Sequence, residues 1–555
     1  VAEANQAWAD CYARNDGPCD QDEPGLEQAV ENLRAAVVSF CEEDDSNLRD
    51  LKAWVDRLQV SCASEAASLA SRSFGGPHGQ AWAMADTEAR ECLSEAHLSA
   101  SLLMDVGLSA INSCLAEESC DASELEADEL SSAEEARADI EASCDSLEDL
   151  VATDADHYLR RAQHQVDCMT ATVYADTGDL RLSCGPSLVE DTPPRGEYVQ
   201  IMLDPEQWGA RCGDGSPFYF QLRLAPAGEP LDRVLIGMEG GGVCLFEGDC
   251  TARWNDSPDL FEARGDEAPD TGIMSDDAAD NPFANWTKVY LPYCNQDVFI
   301  GGGAEEEFEE FTLHRYGAIN VRAAIEYVRN LLFKLIDEER EEGYRPDKIS
   351  ALFGGWSAGG FGTLYNYHWV LDDLQWPQST AFADSTLALD NVTITSIATL
   401  GTLLIANWNA QPYLPPYCFA GNCAVGPVLY EASAARLKAV PNQQFLILSN
   451  QNDDVQVQTT FFESTPTWVN NQRSSVCDTR DLPGIHYYLT SDSESVHVVS
   501  LREELYAGSV DGAVMSKWLW NGAVADPDSI RSHMEEARLV EDIAGVLPFP
   551  CQVAP

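Results

Sequence analysis

Lysine is nearly absent from this chain. Only Lys52, Lys288, Lys334, Lys348, Lys438 and Lys517 occur, and 33 basic side chains in all face 93 Asp and Glu, for a formal net charge of −60. So acidic a surface repels nucleic acid and anionic membranes, which excludes nucleic-acid binding as a function class. It also repels a highly charged polyanionic substrate unless salt or divalent cations screen it. Solvated carboxylates on this scale suit high salt, so a marine or halophilic source is expected, with an acidic and merely soluble secreted protein as the plainer alternative. No run of about eighteen apolar residues is present, so no transmembrane segment is expected. No Cys-x-x-Cys pair occurs, which disfavours zinc ribbons and thioredoxin-like sites. The chain opens on Val1 without a charged-then-apolar leader. The expectation is that a signal peptide has been removed or left out.

Cysteine, by contrast, is plentiful: 18 residues spread along 555 positions. An even, dispersed count fits a disulfide framework, hence export to a periplasmic or extracellular space. Ten cysteines precede about residue 185 and eight follow, so each part can pair internally, and neighbouring Cys418 and Cys423 are expected to close a small loop. The length exceeds what one core usually serves, and two domains are expected. Residues 1–185 read as helical, with apolar residues at three- and four-residue steps over Leu26–Leu33, Leu51–Val60, Leu93–Leu115 and, more weakly, Leu125–Ala152. Its histidines, His78, His97, His157 and His164, are scattered, and surface or capping roles are expected for them.

From residue 186 to 555 the pattern becomes strand–helix alternation. Short β-branched and aromatic runs lie at Phe218–Leu224, Arg233–Met238, Lys288–Tyr293, Gln444–Leu448 and His486–Leu489, with a long amphipathic helix at Ile319–Glu341. This predicts an α/β fold with a mainly parallel sheet covered on both faces. Within it, Gly355-Trp356-Ser357-Ala358-Gly359 stands between a predicted strand, Lys348–Phe353, and a predicted helix, Phe361–Leu374. A serine between two glycines at a strand-to-helix turn is a nucleophile elbow, which lifts the hydroxyl clear of the backbone at a helix N-terminus. The bland alternative is a Gly-rich turn that packs a helix onto a sheet.

A serine nucleophile needs a base and the base an orienting carboxylate. After Ser357 come only His368, within the elbow helix, His486, within a strand run, His497, just beyond that strand, and His533, in a predicted C-terminal helix. His497 is favoured because a loop can present it, with His486 as the alternative. The strand ending at Leu448 runs into Asp453 and Asp454, either of which can be the acid. The loop Glu239-Gly240-Gly241-Gly242-Val243-Cys244 follows a strand and offers backbone N–H groups for an oxyanion hole, joined by that of Ala358. It lacks the Lys-Ser/Thr of a phosphate loop.

Together these motifs resemble the pectin acetylesterase/Notum family over residues ~195–550. Glu239 to Cys244 is similar to that family's EGGGWC loop, Tyr293 to Val298 to its YC-x-GD segment, Trp356 to Gly360 to its SAGG elbow, Ala383-Asp384-Ser385 to its ADS segment, and Asp453 to Gln456 to its D-x-x-Q motif. The resemblance implies an α/β-hydrolase fold, a triad of Ser357, Asp453 and His497, and an oxyanion hole of Gly240, Gly241 and Ala358. Asp453 is thereby preferred over Asp454. Gly242, Val243, Trp356 and Tyr293 are candidates for the substrate pocket. Val243 stands where the family has Trp and Gln296 where it has Gly, so the pocket is expected to differ.

The expected function is a serine carboxylester hydrolase acting on a polymeric ester, preferably an O-acetylated polysaccharide, with lipid, acyl-protein or polyester substrates as alternatives. A non-catalytic binding or adhesion protein with a relic hydrolase domain is the rival of another class. No cofactor or metal is expected. Acidic stretches such as Asp266 to Asp280 are Ca²⁺ candidates without EF-hand spacing, and solvated charge is the plainer reading.

Overall fold

The computed structural model describes residues 1–15, 19, 24–41, 48–75, 79–116, 122–151, 153–174, 180, 182–185, 188–189, 191–276, 280–339, 343–376, 378–387, 407–414, 443–458, 465–491, 494–524 and 532–534. Up to Val173 every described element is a helix, the longer ones being Leu48–Phe74, Thr87–Ala116, Ala122–Ser143 and Ala155–Val173. They enclose a core of their own around Trp8, Tyr12, Phe74, Leu93, Met104 and Tyr158. Disulfides Cys11–Cys19 and Cys92–Cys144 staple it. The predicted helix over 125–152 is two pieces, Ala122–Ser143 and Glu148–Val151, interrupted where Cys144 turns to meet Cys92. His97, expected at the surface or as a cap, is instead buried, with Nδ1 on Ser73 Oγ at 2.9 Å and Nε2 on the Asn5 carbonyl at 3.0 Å. His157 is partnered at its helix start by the N-cap Asp154, whose carboxylate accepts the His157 N–H at 2.7 Å and lies 2.7 Å from its Nδ1, while His78 lies outside the described residues.

Among the described residues beyond 195, nine strands form one sheet, numbered in chain order: β1 Tyr198–Leu203, β2 Phe218–Arg223, β3 Arg233–Met238, β4 Thr287–Leu291, β5 Ser350–Trp356, β6 Gln378–Asp384, β7 Gln444–Asn450, β8 Ile485–Thr490 and β9 His533–Met534. Their spatial order is β1-β2-β4-β3-β5-β6-β7-β8-β9. β1 and β2 pair antiparallel, as do β2 and β4; all later neighbours are parallel. Period-two alternation sends Val234, Ile236 and Met238 to one face and Leu235 to the other. Helices Gly317–Glu339 and Ala358–Asp372 cover the first face, and Met515–Val524, through Trp518 and Leu519, the second. This is the sheet of an α/β-hydrolase. His533, predicted in a helix, lies in β9, where parallel pairing with Tyr488 decides the conformation.

The helical part packs against the sheet's amino-end side. Arg57 pairs with Asp337 at 2.8 Å and Arg72 with Asp373 at 3.4 Å, and Arg161 also reaches Asp373. Asp373 follows the last residue of the elbow helix, whose first residue adjoins Ser357. These contacts therefore lie one helix length away from the serine, on the opposite edge.

Candidate active site

The chain leaves β5 at Trp356 and turns at once into a helix, so Ser357 is held at φ 53°, ψ −115°. Few non-glycine residues adopt such a conformation, and it persists only where the surroundings enforce it. The Ser357 N–H donates to the Asp384 carbonyl at 2.9 Å, and the Thr386 hydroxyl donates to the Ser357 carbonyl at 2.6 Å. Glycine is required at position 359 because a Cβ there would lie 2.2 Å from the Met238 carbonyl oxygen. That close approach seats the first turn of the elbow helix on the end of β3. A Cβ on Gly240 would sit 3.7 Å from Ser357 Oγ, so the glycine loop after β3 lies directly beside the hydroxyl.

That loop is braced from beneath and from the side. Tyr293 is buried, and its ring lies so close under Gly241 that a Cβ there would be 2.6 Å from it. The Glu239 carboxylate accepts the Tyr293 N–H at 2.9 Å, and burial pushes its carboxyl upward. Arg253, from the helix Glu247–Asp256, donates through one nitrogen to the Gly241 carbonyl at 2.9 Å and to Gln296 Oε1 at 3.0 Å. Gln296 has φ 53°, a left-handed backbone that explains why glycine suits this position, and its amide instead joins the brace. No motif singled out Arg253, because its partners are distant in sequence.

At the carboxyl end of β7 the fully buried Asp453 accepts from the backbone N–H groups of Val455 and Gln456, at 3.1 and 3.2 Å, and from the Gln456 side chain at 2.8 Å. Its Oδ2 lies 2.7 Å from His497 Nδ1. An ionised carboxylate only accepts, so Nδ1 carries the proton and Nε2 is left as the basic nitrogen. Asp454 stays exposed and its N–H meets Ser495 Oγ at 2.8 Å. His486, the alternative base, sits at the start of β8, three strands from β5, bonded to Gln444 Oε1 at 2.9 Å, and burial lowers its pKa to about 4.

Asp384, at the end of β6, ties these pieces together. Its buried carboxylate accepts from Val499 N–H at 3.0 Å and from the Ser500 N–H and hydroxyl, each at 2.6 Å, while Ser385 Oγ accepts the Val498 N–H at 2.7 Å. The loop that carries His497 is thus latched to the strand whose terminal carbonyl holds Ser357. Trp356 adds to the latch through its indole N–H on Ser500 Oγ at 2.8 Å and is only 2% exposed. Of the pocket candidates, Trp356 and Tyr293 are therefore buried supports, whereas Gly242 and Val243 are partly exposed on the glycine loop.

A family profile described as Pectinacetylesterase matches residues 195–487, more than half of the chain. The chain belongs to the pectinacetylesterase family. Over 188 residues it is 32% identical to human palmitoleoyl-protein carboxylesterase Notum, a match covering 32% of this chain and 34% of that protein. Over 187 residues it is 32% identical to pectin acetylesterase 4 of Arabidopsis thaliana, covering 32% of this chain and 42% of that protein. The matches thus span well under half of these relatives' length. The helical part lies outside the pectinacetylesterase match.

The acidic stretch from Asp266 does not gather into a cation cage among the described residues. Asp276 pairs with Arg223 at 2.8 Å and with the buried Lys288, whose pKa burial lowers to about 8. The one group of three metal-type ligands found among the described residues is His164, Cys168 and Cys184, and those two cysteines are bonded to each other. Cys212–Cys294 and Cys244–Cys250 lie within the sheet-bearing part, so each described disulfide stays within its own part. Cys62 stands free, its thiol pKa raised by burial. Cys418 and Cys423 lie outside the described residues.

Proposed function

We propose that this protein is a secreted serine carboxylester hydrolase of pectin acetylesterase/Notum type that removes O-acyl groups, acetyl foremost, from a polysaccharide. The observation that carries the reading is the 2.7 Å contact of His497 with buried Asp453 on the same sheet edge as the Ser357 elbow. Ser357 Oγ attacks the ester carbonyl while His497 Nε2 takes its proton, and Asp453 stabilises the imidazolium that results. The N–H groups of Gly240, Gly241 and Ala358 receive the developing oxyanion. Collapse expels the alcohol, protonated by His497, and leaves an acyl-Ser357 ester. Water, deprotonated by His497, then attacks that ester and releases the carboxylic acid, returning the proton to Ser357.

The names of the relatives support the ester class and offer two acyl groups, acetyl on pectin and palmitoleoyl on protein. Exposure of Gly241 supports a polymeric substrate, since the glycine loop is open to a bulky ester. The disulfides support export to an oxidising space. The expected result for Ser357→Ala is a loss of p-nitrophenyl acetate turnover of roughly a thousandfold or more. Turnover retained in that variant, or failure of the wild type to be labelled by a fluorophosphonate, sinks the mechanism and leaves the non-catalytic binding role. A wild-type profile that rises with acyl chain length would replace acetyl by fatty acyl.

A further inference from the structure

The helix Thr87–Ala116 turns an apolar stripe to solvent. Leu98, Leu102 and Val106, one turn apart, are 44%, 54% and 49% exposed. Residues four apart share a helix face, so the three form a continuous ridge about 12 Å long. At its end Val106 borders a cavity of about 180 Å³ between this helix and the helices Ala122–Ser143 and Ala155–Val173. Leu103 and Val166 give that cavity an apolar floor, and Asp128, Glu129 and Asp167 give it an acidic rim. From Glu91 to Ala136 the sequence has no Lys or Arg at all, while acids recur throughout.

We infer that this face docks a cationic amphipathic helix of a partner protein. Charge selects the occupant. A second copy of this chain would bring another −60, and an anionic membrane is repelled for the same reason. A helix with Leu or Ile along one side and Lys or Arg along its flanks covers the ridge. It places one cationic head group among Asp128, Glu129 and Asp167, where its aliphatic stem lies on Leu103 and Val166. The helical part then serves as a recruiting module, held on the sheet edge away from Ser357 and leaving the glycine loop open.

The test is fluorescence anisotropy on the full chain with a labelled synthetic Lys/Leu peptide that forms an amphipathic helix, and with a scrambled peptide of the same composition. The amphipathic peptide is expected to bind saturably and at least about tenfold tighter than the scramble. Leu102→Gln together with Val106→Gln is expected to abolish that preference, and Asp128→Asn with Glu129→Gln to weaken binding and flatten its salt dependence. All four positions lie on the outside of helices, and far-UV circular dichroism verifies that the variants fold. Equal binding of both peptides would show polyelectrolyte attraction alone and overturn the inference. So would absence of saturable binding, or a preference that survives the double Gln change.

Discussion

At Asp384 one carboxylate collects three donors from residues 115 and 116 positions further along the chain. The same residue's carbonyl holds the Ser357 N–H. Asp384 therefore ties the turn at Ser357 to the loop that carries His497. Asp384→Asn keeps the shape but replaces half of the acceptor by an N–H₂ that faces other donors. The expected outcome is a fall in kcat of roughly ten- to a hundredfold, the scale of a charge-assisted hydrogen bond, with KM little changed. Ser385→Ala, which removes the Val498 contact and one neutral hydroxyl donor to Asp384 but leaves the carboxylate and its three distant donors, should fall less. An unchanged kcat in both, or a change confined to KM, would count against the latch. Asp453 and Asp454 are neighbours that local spacing cannot rank. One is buried against His497 and the other is exposed, a difference that arises from how the β7 and β8 loops meet.

At the scale of elements, the strand–turn–helix around Ser357 and the strand–glycine loop before Cys244 are legible because their determinants are contiguous. Small residues flank a turn, and apolar residues alternate or recur at helical steps. The brace by Arg253 and Gln296 has no such signature, since a hydrogen bond to the Gly241 carbonyl can come from any donor the fold delivers. His97 shows the same limit in the helical part, where a lone histidine on an amphipathic helix proved to be a buried hub between Ser73 and Asn5. Burial lowers its pKa to about 4. Between that value and about 6.5 the unfolded chain binds a proton that the folded chain does not. Stability from this group is thus complete above about pH 6.5 and is lost as pH falls toward 4, by on the order of 3 kcal/mol. Chemical denaturation of wild type and His97→Gln at pH 7 and pH 4.5 should show a smaller loss in the variant. An identical loss would remove His97 as its source.

For the whole molecule, self-repulsion among the 93 carboxylates opposes compaction, and added salt screens it. The melting temperature at neutral pH is expected to rise from low to molar sodium chloride, and a flat or falling curve would exclude an adaptation to salt. The amino acid sequence determined composition, the strand–helix alternation and the short motifs, because each is read from residues along the chain itself. The tertiary structure alone decided which aspartate meets His497, that Asp384 latches the His497 loop to the Ser357 turn, that Trp356 and Tyr293 are buried beneath that edge, and that the helical part packs at the sheet's amino-end side. Those contacts join residues tens to hundreds of positions apart, and only the closing of β3, β5, β6, β7 and β8 into one parallel edge brings them within hydrogen-bond reach.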